Sequence, residues 1–370
     1  MNTPRVLQVC PNDHPPFLEL CRAHAAALAR TGVVVDTVYF AGPTGAPWET
    51  ATYFGIERGT RRLIDALRRY CAPRQYDLVV AHRYRAYQVV TRARGALSGA
   101  PIVSVAHEFG MFTRRRRRAR QRLFGRGVRF AGVSRPVADQ LLRDHPGLAE
   151  TFVLPSPIDV ERLDDNRLAR SDARDQLGIP QSSYVVGVIG RLHSKKRPLL
   201  ALEGFIAAES LPPEARLVFI GDGELRGAVE SLAIARGVGV NVQFAGRLAD
   251  AAQYLNAFDV LLFASGSAEA FGMALLEAML ARVPIVCADV PGPRSVLGPD
   301  GLYFCEREAG DTAAALAAVL NRCAGMSPQA HRRRIDALRS RVEREFSLTA
   351  VAEIYRGLFS RDVPHPRAGS

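Results

Sequence analysis

The sequence predicts an α/β protein of two doubly wound domains, each a parallel sheet covered by helices on both faces. Three observations carry this. Short β-branched runs alternate with helix-period stretches along the first 155 residues. The same alternation restarts near residue 184. A chain of 370 residues is also longer than one hydrophobic core usually serves, so two cores are expected.

The first series reads RVLQVC (5–10), VVVDTVYF (33–40), YDLVVAH (76–82), PIVSVAH (101–107), VRFAGVS (128–134) and TFVLP (151–155). Helix-period stretches such as FLELCRAHAAALART and TRRLIDALRRYC lie between them. Near-continuous apolar strands separated by helices mark a parallel sheet buried on both faces. PSPIDVERLDDNRLARSD (155–172) is polar and turn-rich, so the seam is expected there, giving domains 1–165 and 166–345. The second series reads YVVGVIG (184–190), ARLVFIGDG (215–223), VQFAG (242–246), FDVLLFAS (258–265), VPIVCAD (283–289) and GLYF (301–304). Doubly wound domains bind ligands beyond the carboxyl ends of their strands. Two facing domains would form a cleft with one substrate on each lip.

Composition narrows the function. Hydrophobic content of 48% and charged content of 23% describe an ordinary soluble globular protein. The six cysteines (10, 21, 71, 287, 305, 323) are scattered with no Cys-x-x-Cys pair, which favours neither a disulfide framework nor a zinc site. No metal-ligand spacing is visible, and no metal is expected. The opening MNTPRVLQVCPNDHPPF lacks the apolar core of a signal peptide, and no stretch approaches 18 apolar residues, so a cytoplasmic protein is expected. The net charge of +12 is uneven: residues 1–165 carry 25 arginines against 15 acids. Nine arginines fall within TRRRRRARQRLFGRGVRF (113–130).

Lys195 and Lys196 are the only lysines, against 47 arginines. Both lie in GRLHSKKRP (190–198), straight after an apolar strand-like run. A compact ammonium on a flexible stem fits a tight phosphate site where a planar guanidinium does not; chance placement on a solvated loop is the plainer reading. Further on, EAFGMALLEAML (269–280) places Gly272 at a turn and a helix after it. A helix N-terminus presents free amides and a positive dipole end, and Glu269 stands just before it. Glu277 follows eight residues on, which in continuous helix is roughly 80° of rotation, so both carboxylates could border one cleft. Both also read as ordinary helix-surface residues. With His107 at the end of PIVSVAH, Arg191, Lys196, the 221–224 turn and Glu269 all fall at predicted strand ends.

These pieces, in order, resemble retaining glycosyltransferases of family 4. The matching segments are GRLHSKK (190–196), FIGDGE (219–224), VQFAGR (242–247), EAFGMALLEAMLARVPIVCAD (269–289) and PGPRSV (291–296). SLTAVAEIYRGLF (347–359) is similar to the family's closing helix, which crosses back to the N-terminal domain. The resemblance covers roughly 184–296 well and the first half loosely. It implies a GT-B fold, an N-terminal acceptor domain (1–165 with 346–370) and a C-terminal donor domain. It also implies that Arg191 and Lys196 neutralise a donor diphosphate and that Glu269 holds sugar hydroxyls. Gly190 and the amides of Phe271, Gly272 and Met273 would approach sugar and phosphate, Glu277 would bind the ribose, and His107 would sit near the transferred sugar. The donor would be a nucleotide-diphosphate sugar of UDP or GDP type, with no separate cofactor. The implied reaction retains anomeric configuration and needs no metal.

The sequence departs from the family at three places. Where a glycine pair is common after the first strand, CPNDHPPFLEL (10–20) carries Pro15 and Pro16; proline has no amide proton to donate. Asn12, Asp13 or His14 would then shape the acceptor side, or the loop is a rigid turn. PSPID (155–159) replaces the usual Asn-Gly, and Arg294 and Ser295 stand near where an acid is common. The arginine run, flanked by Met111, Phe112, Leu123 and Phe124, suits an anionic membrane surface through residues 111–129. A solvated charged loop is the alternative; no aromatic interleaving supports nucleic acid, and none is expected. The reading is a transferase acting on a glycan or lipid-linked acceptor, in cell-envelope polysaccharide or lipopolysaccharide assembly and peripheral on the inner face of the cell membrane. A nucleotide-sugar 2-epimerase, or a non-catalytic basic binding protein on a degenerate fold, are the alternatives.

Overall fold

The computed structural model describes residues 3–148, 151–306 and 311–359. It divides into two compact units, 1–158 with 345–370, and 159–344. The division lies a few residues before the expected 165/166. Asp159 explains the position: its carboxylate accepts the Arg162 amide at 3.2 Å and caps a helix that opens the second unit. PSPID therefore ends one unit and starts the next.

In the first unit the order is β1 (Arg5–Cys10), α1 (Phe17–Ala29), β2 (Val34–Tyr39), β3 (Ala51–Tyr53), α2 (Thr60–Cys71), β4 (Leu78–His82) and α3 (Arg83–Arg92). Then come β5 (Ile102–Ala106), α4 (Arg115–Phe124), β6 (Val128–Gly132), α5 (Arg135–Asp144) and β7 (Thr151–Val153). The seven strands pair in parallel in the order β3-β2-β1-β4-β5-β6-β7. Every residue of β4 and β5 is buried, as apolar strands covered on both faces should be. The order reverses between β1 and β4, and His82 and His107 stand at the carboxyl ends of β4 and β5.

The second unit holds α6 (Val160–Asp165), α7 (Arg170–Leu177), β8 (Val185–Ile189), α8 (Pro198–Ile206), β9 (Arg216–Ile220), α9 (Arg226–Ala235) and β10 (Val242–Gly246). It continues with β11 (Val260–Phe263), α10 (Met273–Leu280), β12 (Ile285–Ala288), α11 (Pro291–Leu297), β13 (Leu302–Phe304), α12 (Asp311–Ala324) and α13 (Pro328–Glu345). Its six parallel strands run β10-β9-β8-β11-β12-β13, reversing between β8 and β11. Both units are thus doubly wound, and each has a topological switch point where such sheets take ligands.

One buried ion pair locks the start of β8. Arg174 is fully buried, and its guanidinium meets Asp259 at 2.9 Å and the Ala257 carbonyl at 3.0 Å. Asp259 also accepts the Val185 amide at 2.7 Å. The last helix, α14 (Leu348–Phe359), packs on α1 of the first unit. Its Tyr355 hydroxyl lies 2.8 Å from His24 Nδ1, and Arg30 donates to Thr349 at 2.7 Å.

Candidate functional site

Gly190, Arg191, Lys196 and Glu269 gather at the switch point of the second unit, with Glu277 near enough to Lys196 for their charges to interact. Gly190 and Arg191 leave β8, and the chain turns through His193, whose ring accepts the Lys195 amide at 3.2 Å. Arg191 and Lys195 are exposed, while Lys196 is half-buried and points inward. Lys196 Nζ donates to Glu269 Oε2 at 2.5 Å and stands 4.9 Å above the ring of Phe263 at the end of β11. A small hollow there is lined by Gly190, Arg191, Lys196, Phe263 and Ser265.

Glu269 lies in the loop before α10, not on it, so helical spacing does not relate it to Glu277 as the sequence reading assumed. Its place is set by packing instead. The Cα of Gly292, in α11, sits so close that a Cβ would fall 2.1 Å from the Glu269 carbonyl oxygen. Gly272 precedes α10 with φ of 104°, a backbone conformation that glycine adopts without a Cβ penalty. Phe271 is buried, and Met273 opens the helix, whose first amides have no intrahelical carbonyl to meet. Glu277 is half-buried on α10. Loss of water around its carboxyl pushes its pKa up to about 7. Arg162 and Lys196 pull it down and Asp250 adds to the rise, but burial dominates.

The 221–224 turn is adjacent. The Leu192 amide donates to the Asp222 carbonyl at 3.1 Å, and His193 Nε2 is 3.6 Å from Glu224. Arg294 pairs with Asp289 and lies 4.8 Å from the Tyr303 ring centroid, so this departure from the family pattern builds a local clamp. Ser295 bonds back to the Gly292 carbonyl at 2.6 Å.

His107 belongs to the first unit. It is buried, and its Nε2 lies 2.9 Å from His82 Nδ1. Burial, with His82, His24 and Arg83 nearby, holds its pKa well below the usual imidazole range. His24 completes the group, with ring centroids 4.9 Å from His82 and 6.0 Å from His107. The sequence reading missed this cluster, since residues 24, 82 and 107 have no local spacing; only their shared position at strand ends and on α1 unites them. In the first loop Asp13 is buried and accepts from the Thr44 amide and hydroxyl at 2.9 and 3.1 Å. Asp13 therefore ties two loops together.

The arginine run is a helix, α4, not a loop. Its expected apolar flanks are corrected in part: Met111 and Phe112 are buried, Phe112 packing edge-on against Tyr87 and Phe130. Leu123 and Phe124 remain outside, at 75% and 40% exposed. Arg117 and Arg118 are tied to the Met111 and Asp144 carbonyls, whereas Arg114, Arg115, Arg116 and Arg122 face solvent.

Both halves of the chain match models of known protein families. A family model described as Glycosyl transferases group 1 matches residues 169–335, and one described as Glycosyltransferase Family 4 matches residues 19–162. The D-inositol 3-phosphate glycosyltransferase of Geodermatophilus obscurus is 30% identical over 328 residues, covering 79% of this chain and 70% of that protein. Two curated relatives from Bacillus subtilis are matched over only 43% and 46% of their own length. Among solved structures, Anabaena HepE in complex with UDP superposes with a TM-score of 0.77 at 21% identity, over 96% of this chain and 99% of that one. WaaG, described as a glycosyltransferase involved in lipopolysaccharide biosynthesis, gives 0.72 at 18% identity, over 96% and 100%.

Proposed function

The chain belongs to the group 1 glycosyltransferases and has their two-domain GT-B fold, and on that premise we propose a retaining enzyme that takes its sugar from a UDP- or GDP-type donor. The acceptor is a glycan or lipid-linked glycan of the cell envelope, and the enzyme works in the cytoplasm at the inner face of the membrane. The observation that carries the donor assignment is the Lys196–Glu269 pair at the switch point, 2.5 Å apart. An ammonium has three N–H donors, and the ion pair uses one. Two stay available to phosphate oxygens, while Glu269 keeps acceptor capacity for sugar hydroxyls. Arg191, exposed beside them, supplies the second cation. As charge builds on the leaving diphosphate, fixed cations favour the transition state over the ground state. Charge is thus handled by side chains and by the amides of Phe271, Gly272 and Met273, with Gly190 leaving room, in a reaction that needs no metal. Glu277, when ionised, accepts from the ribose hydroxyls.

HepE is described in complex with UDP, which supports trying UDP first; the lipopolysaccharide role of WaaG supports an envelope acceptor. The exposed arginines of α4, beside Leu123 and Phe124, support docking on an anionic membrane. The test is a thermal-shift titration with UDP, GDP, ADP and CMP, with and without magnesium. A ligand that binds only the native state raises stability by mass action. A shift with one nucleoside diphosphate, unchanged by magnesium, is expected. No shift with any of them moves weight to a fold that has lost its donor site.

A further inference from the structure

We propose that His24, His82 and His107 form a binding site for one transition-metal ion of the zinc type in the first unit. Three separate elements supply them: α1 carries His24, His82 ends β4, and His107 follows β5. The rings are 0%, 0% and 9% exposed, and one nitrogen from each lies within 4.8 Å of the others.

Their hydrogen bonding does not close. His82 Nδ1 and His107 Nε2 share one proton across 2.9 Å, and His24 Nδ1 is held by Tyr355 Oη. That leaves His24 Nε2, His82 Nε2 and His107 Nδ1 buried with no hydrogen-bond partner among the described residues. Of these, His24 Nε2 is the atom that an ion between the three rings would satisfy, and an unmatched buried nitrogen calls for an unseen water or ion. Three converging imidazoles favour the ion, because neutral imidazole is a strong ligand for zinc-type metals.

The geometry requires little change. Metal–nitrogen bonds of about 2.0–2.1 Å in a tetrahedron place ligand nitrogens about 3.4 Å apart. The facing nitrogens of His82 and His107 open slightly to admit an ion in place of the shared proton. Each of those two rings then carries its N–H on the far nitrogen, so no proton need leave the site. His24 offers Nε2 while Nδ1–H donates to Tyr355, the outer-shell contact that orients metal-bound histidines. Arg83 opposes a cation here, though Glu108 lies 3.7 Å from its guanidinium, which also covers the Phe17 ring at 3.8 Å.

The experiment strips the full-length protein with chelator, then titrates Zn(II) by calorimetry and Co(II) by visible absorption. One ion per chain and a tetrahedral Co(II) band are expected. His24→Gln and His82→Asn should each weaken binding by about tenfold or more, and Arg83→Gln should tighten it. Absence of binding, or affinity unchanged in both histidine variants, overturns the site. Should those variants fail to fold, X-ray absorption of the zinc-loaded wild-type protein decides: histidine nitrogen ligands support the site, and a sulfur ligand places the ion elsewhere.

Discussion

Lys196 and Glu269 hold one another at 2.5 Å from loops that follow different strands, so removing either leaves the other half-buried and unpaired. Lys196→Ala and Glu269→Ala should each lower kcat/KM by about 10²–10³, with a modest fall in melting temperature because the partner left behind keeps partial access to water. Near-normal turnover in either would remove the assigned roles. Glu277 gives a separate, pH-dependent handle. Its folded pKa of about 7 exceeds the ordinary 4.5, so the folded state holds the proton more tightly than the unfolded chain. The resulting stability is complete below pH 4.5 and is lost as pH rises through about 7. Glu277→Gln should therefore be more stable than wild type at pH 8 by about 2–3 kcal/mol, converging below pH 4.5, as thermal melts would show. Donor affinity should move oppositely, rising as the wild-type carboxylate ionises and staying flat in Glu277→Gln. Lys196 and Glu269 were legible because lysine is scarce in this chain and both residues flank glycine-bearing turns. The pairing of Arg174 with Asp259 was not, since the two are 85 residues apart and only packing sets them together. Arg174→Met should cost about 1–3 kcal/mol in a denaturant melt: Asp259 keeps Arg170 at 2.6 Å and the Val185 amide, and what is lost is the Arg174 bonds to Asp259 and to the Ala257 carbonyl.

Elements differ in how openly they declare themselves. Strands β4, β5 and β11 are buried throughout and carry continuous apolar runs, so periodicity finds them. Strand β3 has three half-buried residues at a sheet edge; so short a stretch gives no pattern. Helix α4 escapes for a different reason: arginine is a good helix former, but ten residues with almost no apolar stripe look like solvated loop. Helices α10 and α11 show how one element positions another. The Gly292 Cα abuts the carbonyl of Glu269, and an added Cβ would stand 2.1 Å from a backbone oxygen that cannot swing away. Gly292→Ala must therefore displace either α11 or the 269–271 loop. We expect it to lower nucleotide affinity by at least about tenfold through misplacement of the Phe271, Gly272 and Met273 amides. The overall helix content should persist, giving a weaker nucleotide thermal shift beside an unaltered circular-dichroism spectrum. A full-strength shift would show that the loop does not depend on α11.

At the scale of the whole chain, charge is the distinguishing property. Most of the +12 net charge falls in residues 1–165, and α4 with Arg114 just before it concentrates part of it on four solvent-facing arginines beside Leu123 and Phe124. Self-repulsion of such a cluster is a standing cost, which an anionic surface relieves. A basic residue near an anionic membrane contributes about 1 kcal/mol, so Arg114, Arg115, Arg116 and Arg122 together supply on the order of 4 kcal/mol. Replacing all four with glutamine should weaken binding to vesicles containing anionic lipid by roughly 10²–10³-fold without altering the nucleotide thermal shift, because α4 belongs to the other compact unit. The same binding should fall steeply between low and physiological salt, as screening shortens the reach of surface charge. Leu123→Asp separates the apolar contribution: if the two exposed side chains insert, it weakens binding even at low salt, where the arginines act at full strength. Wild-type binding to purely zwitterionic vesicles, as strong as to anionic ones, would defeat the electrostatic account and leave α4 as a solvated face.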